Sequence, residues 1–254
     1  MAGGWRGDKW GEIKDPLAHS QYYPEPQQSS DFRRSIMARK ETLTQILSTG
    51  VVAVIRMKDA RRLSKVVEAI RVGGVKCIEI TMTVPGAVEI IAEMARSRPP
   101  DVLIGAGTVT DKKTALDVIK AGAKFVVGPA LIFDILAACK ETDTVCMPGC
   151  FSPTEILAGW NAGADIIKVF PATSLGPKYF KDIAGPFPQI RLMPTGGVTV
   201  ENVGEWVAAG AVAVGIGSDL LDKKAIEEER YSVLTDRAQR LTNNFLEAKA
   251  RLAK

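Results

Sequence analysis

The chain has 254 residues but only one histidine, His19. Its four cysteines, Cys77, Cys139, Cys146 and Cys150, form no C-x-x-C pair. A zinc site needs about four Cys, His or carboxylate ligands at suitable spacing. That spacing is absent, so no zinc site is expected. Scattered thiols read most simply as the reduced cysteines of a cytoplasmic protein. With so little histidine, acid–base work in the core falls to carboxylates, lysine or tyrosine. No apolar run reaches the roughly 18 residues that suggest a membrane span. The N-terminus lacks the basic-then-apolar pattern of a secretory signal. The formal net charge is only +4, and aromatics make up 6% of the residues. No basic stripe is interleaved with those aromatics, so neither nucleic acid nor a membrane is an expected partner.

Residues 1–36 differ from the rest. They contain Gly3-Gly4, Pro16, Pro24-Glu25-Pro26 and Gln27-Gln28-Ser29-Ser30, with few aliphatics. This composition reads as a flexible or loosely draped extension. The tripeptide Arg6-Gly7-Asp8 within it is too short to argue from. Trp5, Trp10, Tyr22 and Tyr23 are candidates to anchor the arm on a neighbour. Residues 37–254 read as the folded domain.

From Thr42 onward, short β-rich runs alternate with helical runs of 3.6-residue apolar spacing. Eight strands are expected: Val51–Arg56, Val75–Thr81, Val102–Gly105, Phe125–Val127, Thr144–Met147, Asp165–Phe170, Arg191–Pro194 and Val212–Ile216. Helices are expected at Ala60–Val72, Ala87–Arg96, Lys112–Ala121 and Thr154–Ala162. The phrase Ala-Gly-Ala precedes three of the strands, at 121–123, 162–164 and 209–211. It is one helix-to-strand turn used repeatedly, with glycine as the helix stop. The strands are apolar throughout rather than alternating, as in a parallel sheet covered by helices. Eight such units predict an α/β single domain, a (β/α)8 TIM barrel. The competing open sheet would place a G-x-G-x-x-G turn after its first strand. Here that strand ends Val54-Ile55-Arg56-Met57-Lys58-Asp59.

In a barrel, chemistry sits at the C-terminal strand ends. Lys168 stands there, in Ile166-Ile167-Lys168-Val169-Phe170. Lysine is rarely buried without a partner or a task. Desolvation disfavours its ammonium form, and a neutral amine can form an imine with a ketone. The plainer reading is a buried stem whose amine reaches water. Glu79 is the second oddity, in Cys77-Ile78-Glu79-Ile80-Thr81. Alone it reads as a structural salt-bridge partner. On the second and sixth strands of one barrel, the two side chains converge across the interior. A lysine to form the imine and a carboxylate to move protons are the minimum for a metal-free aldolase. Gly196-Gly197 and Gly217-Ser218 follow the seventh and eighth strands, where barrels often bind phosphate. Ser218-Asp219 also reads as a helix N-cap.

These residues resemble a known family, the 2-keto-3-deoxy-6-phosphogluconate (KDPG) and 4-hydroxy-2-oxoglutarate (KHG) aldolases. The resemblance runs from about Thr42 to Ala225. Its motifs are Ile78-Glu79-Ile80-Thr81, Gly105-Ala106-Gly107-Thr108-Val109, Ile167-Lys168-Val169-Phe170-Pro171-Ala172, Gly185-Pro186-Phe187-Pro188, Pro194-Thr195-Gly196-Gly197-Val198 and Gly215-Ile216-Gly217-Ser218. It implies a class I aldolase, a homotrimer, with no metal or other cofactor and with a small 2-keto acid as substrate. It implies Lys168 as the Schiff-base lysine and Glu79 as the general acid/base. Substrate contacts are implied at Arg56, Thr108, Pro129, Phe170 and Thr195, and phosphate contacts at Gly196, Gly197, Gly217 and Ser218. Two departures bear on the substrate. Some members carry an arginine where this chain has Thr83, and the fourth strand usually ends Ser-Pro where this chain has Gly128-Pro129.

The expected reaction cleaves a 2-keto-3-deoxy-6-phospho sugar acid to pyruvate and glyceraldehyde 3-phosphate. An aldolase for 4-hydroxy-2-oxoglutarate or for the phosphogalactonate analogue is the alternative on the same frame. A different class remains open too: a trimeric scaffold that displays the N-terminal arm.

Overall fold

Ala-Gly-Ala at 121–123, 162–164 and 209–211 builds the same turn three times. Gly122, Gly163 and Gly210 take φ of 108°, 96° and 102°, a left-handed conformation that glycine adopts without strain. In each, the glycine N–H and the following alanine N–H reach back to carbonyls of the preceding helix. Gly122 donates to Ile119 O at 2.9 Å and Ala123 to Val118 O at 3.0 Å. Each turn therefore ends a helix and feeds the next strand at a fixed angle.

The computed structural model describes residues 30–57 and 60–252. The stretch 1–29, with Arg6-Gly7-Asp8, His19 and the four aromatics of the arm, lies outside the described residues.

The chain opens with α1 (Ser30–Thr49) and β1 (Val51–Ile55). Then follow α2 (Ala60–Val72), β2 (Cys77–Thr81), α3 (Ala87–Ser97), β3 (Leu103–Gly107), α4 (Lys112–Lys120) and β4 (Phe125–Val127). Next come α5 (Phe133–Glu141), β5 (Val145–Met147), β6 (Gly149–Cys150), α6 (Pro153–Asn161) and β7 (Ile167–Val169). A 3-10 turn (Ala172–Ser174) leads to α7 (Gly176–Ala184), β8 (Leu192–Pro194), α8 (Val203–Ala208) and β9 (Val214–Ile216). The chain ends with α9 (Lys223–Glu227) and α10 (Tyr231–Leu252).

All pairings are parallel, in the orders β5-β4-β3-β2-β1-β9 and β6-β7-β8. Isolated bridges Leu192–Ala211 and Thr195–Gly215 link the β8 region to the β9 region. The result is a curled parallel sheet with helices outside it. Where the sequence predicts one strand, Thr144–Met147, the structure has two short ones, β5 and β6, either side of Pro148. Proline has no N–H to offer a ladder. The chain pairs with β4 before Pro148 and with β7 after it, and Pro148 O still accepts from Lys168 N at 3.0 Å. β1 and β7 end one residue earlier than predicted, so Arg56 lies one residue beyond β1 and Phe170 one beyond β7, whereas β3 runs two residues further than predicted, to Gly107.

The strands are buried on both faces, and alternate residues belong to two different cores. Val51, Ala53, Ile55, Ile78, Ile80, Ile167 and Val169 pack with the helices. Val52, Cys77, Leu103, Phe125, Val145, Met147, Ile166, Met193 and Ala213 form a second cluster inside the curl, joined by Ile46 of α1. Burying one such aliphatic side chain is worth about 1.5–3 kcal/mol. Helix α1 is pinned there by Arg39, which donates to both Asp165 carboxylate oxygens at 3.2 and 2.9 Å. Asp165 also accepts from Cys146 N at 2.8 Å. On the outside, α10 lies against α2 and α8. Thr242 Oγ1 donates to Gly73 O at 2.9 Å, where glycine leaves the backbone open to the helix.

Candidate active site

The period of two along a strand places Glu79 and Thr81 on the same face as Cys77, and Lys168 on the same face as Ile166. Both sets therefore point into the curl, one step above the apolar inner cluster. Lys168 is 3% exposed and Glu79 1%. The Lys168 stem is buried, and the plainer reading, with the amine at the edge of solvent, accommodates that figure. Its Nζ lies 5.1 Å from the centroid of the Phe170 ring. Neither oxygen of Glu79 has a hydrogen-bond partner among the described residues. Burial pushes the Glu79 carboxyl above the usual carboxylate range, while the charges of Lys168 and Arg56 oppose that shift. Glu79 thus holds a proton to higher pH than a solvated glutamate, with a lysine close enough for the two charges to interact.

Glycines let these side chains take their places. A Cβ on Gly107 would come within 1.9 Å of Glu79 Oε1, so only glycine lets the carboxyl lie across β3. Thr195 follows β8 on the inner face, buried, with its hydroxyl unpartnered. Gly215 of β9 is bare opposite it: a Cβ there would lie 2.3 Å from Thr195 Oγ1. Thr81 Oγ1 donates to Ile55 O at 3.2 Å and pairs with Thr83 Oγ1 at 2.7 Å. That contact ties the end of β2 to the end of β1, next to Arg56, whose side chain is exposed.

The other predicted residues rim the same end. Thr108 is half-buried at the end of β3, at φ 57°. Pro129 is half-buried beside Gly149. The departure at Gly128 has a local reason. A Cβ there would sit 3.1 Å from Ala130 O and 3.3 Å from Val109 O, so a serine needs its neighbours to give way.

Gly196 and Gly197 follow β8 at φ of 93° and 76°, and Gly217-Ser218 follow β9. The reading of Ser218-Asp219 as an N-cap is corrected by the structure. The next helix is α9, capped by Asp222, whose side chain accepts from Ala225 N at 2.8 Å. Asp219 instead accepts from Val200 N at 2.8 Å and so couples the two glycine turns. Ser218 is left exposed at the rim.

The sequence reading gave no role to Gly107, to the Thr81–Thr83 hydroxyl pair or to Thr173. Thr173 sits against Gly196 and Gly197. None of these carries a local signal, because each matters through a residue distant in the chain. Among the described residues, no cluster of three or more His, Cys, Asp or Glu is placed to hold a metal, and no helix is long and apolar enough to cross a membrane. All four cysteines are free and buried, and burial pushes the thiols of Cys77 and Cys150 up to about 12.

A family model, KDPG and KHG aldolase, matches residues 43–236. A 2-dehydro-3-deoxy-phosphogluconate aldolase of Pseudoalteromonas atlantica is 34% identical over 202 residues, covering 79% of this chain and 94% of that protein. The crystal structure of a Legionella pneumophila KDPG aldolase holds pyruvate as a covalent carbinolamine intermediate. It superposes with a TM-score of 0.73 at 30% identity, covering 79% of this chain and 97% of that one. A cube-shaped protein cage designed by fusing symmetric oligomeric domains matches with a TM-score of 0.74 at 26% identity, over 80% of this chain and 74% of that one. The matched span includes both buried charged side chains and both glycine turns, and this chain belongs to the KDPG and KHG aldolase family.

Proposed function

We propose that this chain is a class I aldolase that cleaves 2-keto-3-deoxy-6-phosphogluconate to pyruvate and glyceraldehyde 3-phosphate. One observation carries the reading. A lysine and a glutamate, each almost wholly buried, share the inside of the curled sheet, and the carboxylate oxygens have no partner. An unpartnered buried carboxylate costs several kcal/mol by any estimate, so a purely structural role does not account for it.

The Lys168 amine attacks the C2 ketone to give a carbinolamine. Loss of water, with Glu79 supplying and removing protons, leaves a protonated imine. Glu79 as carboxylate then takes the proton of the C4 hydroxyl. The C3–C4 bond breaks, and its electron pair enters the imine to form an enamine. Glyceraldehyde 3-phosphate departs. Protonation at C3 and hydrolysis release pyruvate and restore the free lysine. Arg56, Thr108, Pro129, Phe170 and Thr195 hold the 2-keto acid end, with Arg56 the cation for its carboxylate. Gly196, Gly197, Gly217 and Ser218 hold the phosphate through backbone N–H groups and one hydroxyl. Because Thr83 stands where some relatives have arginine, the nearby charge of Arg56 is the group left for that task.

The same reading treats residues 37–254 as the catalytic unit and the curled sheet as a closed (β/α)8 barrel. The continuity of β5 and β6 through Pro148 and the two bridges between the β8 and β9 regions support closure. It takes the assembly as a homotrimer, in line with the oligomeric homologue built into the designed cage. It places the chain in the cytoplasm, where its four free thiols stay reduced. The family takes its name from a second substrate, 4-hydroxy-2-oxoglutarate, which shares the imine chemistry and lacks the phosphate.

The test is intact mass and peptide mapping after incubation with pyruvate and borohydride. A pyruvate-sized reduced adduct on the Lys168 peptide is the expected result. A folded protein with no adduct overturns the imine mechanism.

A further inference from the structure

The connection from β7 to α7 folds over the turn that follows β8. Ala172 N donates to Thr195 O at 2.9 Å, which fixes the start of this connection against the end of β8. Thr173 comes next and meets the two glycines edge-on. A Cβ on Gly196 would lie 3.0 Å from Thr173 Oγ1, and one on Gly197 would lie 3.1 Å from Thr173 Cα and 3.4 Å from its Oγ1. The glycine pair therefore does more than adopt left-handed φ. It leaves the room in which Thr173 stands.

Two polar groups come together here without partners. Thr173 is exposed, and among the described residues its hydroxyl makes no hydrogen bond. The N–H of Gly197 makes none either, while Gly196 stands in the Thr195–Gly215 bridge that joins the β8 and β9 regions. Exposed threonines commonly turn back onto their own backbone, as Thr142 does with Ala138 O at 2.8 Å. At the same end of the sheet, the Thr81 and Thr83 hydroxyls satisfy each other. Thr173 does neither. Its hydroxyl stands against the Gly196-Gly197 turn, beside the free N–H of Gly197 and five residues beyond Lys168 on the same connection.

Given the aldolase reading above, we infer that Thr173 is a specificity-determining residue. Its hydroxyl completes the donor set of the Gly196-Gly197 turn and binds the phosphate of the substrate. A hydroxyl can donate to a phosphate oxygen while rotating to suit it, and a hydrogen bond to a charged group is stronger than a neutral one. Because the Thr173 connection begins at the strand carrying Lys168, one short segment fixes the spacing between the reacting carbon and the phosphate. Chains of the same length without phosphate gain nothing from this contact.

The test compares Thr173→Val, which keeps the shape and removes the hydroxyl, with Thr173→Ser, which restores it. For each, kcat/KM is measured on 2-keto-3-deoxy-6-phosphogluconate and on 4-hydroxy-2-oxoglutarate, alongside the pyruvate–borohydride adduct. The expected result is that Thr173→Val lowers the ratio of the two kcat/KM values by about 10-fold, mostly through KM for the phosphorylated substrate. Thr173→Ser should recover most of the ratio. A ratio unchanged in Thr173→Val, or both substrates falling together, overturns the assignment. If the unsubstituted protein forms no pyruvate adduct, the aldolase reading itself fails and this assignment falls with it. The adduct thus separates the two failures.

Discussion

At the N-terminal ends of the strands, the inside of the curled sheet is filled. Ile46 of α1 sits among Cys77, Leu103, Phe125, Val145 and Met193, and the Arg39–Asp165 pair fastens the helix in place. At the C-terminal ends the same interior positions carry Glu79, Lys168 and Thr195, or bare glycine at 105, 107 and 215. The C-terminal end leaves both Glu79 oxygens and the Thr195 hydroxyl without partners, whereas the N-terminal end pairs Asp165 fully and leaves a single carboxylate oxygen, Asp143 Oδ2, unmatched among the described residues. The strands are short enough that a single step of two residues separates the regimes. Stability is therefore concentrated at one end and reactivity at the other, and substitutions at the two ends should separate along that line.

The largest effect is expected at Lys168. Lys168→Ala should reduce turnover to background and abolish the borohydride adduct. It should leave the protein folded in a thermal scan, with Glu79 holding its proton to still higher pH once the opposing charge of Lys168 is gone. A variant that loses activity only because it unfolds would show in the same thermal scan and would break the division between the two ends.

Glu79→Gln comes next, with kcat expected to fall roughly 10²- to 10⁴-fold, the usual span for losing a positioned acid–base group. Stability should move the other way, and its pH dependence carries the sign. The folded pKa of Glu79 is raised above its ordinary 4.5, so the folded state holds the proton more tightly than the unfolded state. The contribution of Glu79 to stability is fully present below the unfolded pKa and is lost as pH rises through the folded value. Glu79→Gln should thus match the parent protein in acid and become progressively more stable than it as pH rises. Urea unfolding at several pH values measures this; a difference that is flat with pH would remove Glu79 from its buried, partnerless setting.

Gly107→Ala tests the same site from the neighbouring strand. The added Cβ meets Glu79 Oε1 at 1.9 Å, so the carboxyl must swing away. A displacement of that order should cost kcat about 10-fold or more, with the imine adduct at Lys168 still forming. An unaffected kcat would mean that Glu79 has an alternative resting place.

These residues also mark how far the sequence could be read. Lys168 and Glu79 were legible because a charged residue inside an apolar strand is a local contradiction. The βα rhythm was legible from the Ala-Gly-Ala turns, whose glycines all end a helix as expected and do so in the left-handed form. The break at Pro148 was visible as a residue but not as a change of partner, since pairing to β4 or β7 is decided by distant chain. The roles of Gly107 and Thr173 were hidden for the same reason: a missing Cβ has meaning only once the side chain filling its space is known. Ser218-Asp219 shows the converse. It has N-cap chemistry, yet Asp219 satisfies Val200 N across the turns, and the cap falls three residues later at Asp222.

The smallest effect on activity is expected at the sealed end. Arg39→Leu leaves Asp165 without its bidentate partner while Cys146 N still donates to it. The Arg39 side chain is 21% exposed and that of Asp165 11%, so solvent screens part of the loss. The cost should be about 2 kcal/mol, below that of breaking a fully buried pair. Urea unfolding gives that number. kcat and KM should stay within about 2-fold of the parent, because the apolar layer around Ile46 separates this pair from Lys168 and Glu79. A large fall in kcat in a protein that remains folded would mean that the inner cluster transmits strain from one end to the other, as close-packed interiors can. The two ends would then be one mechanical unit rather than a foundation and a site.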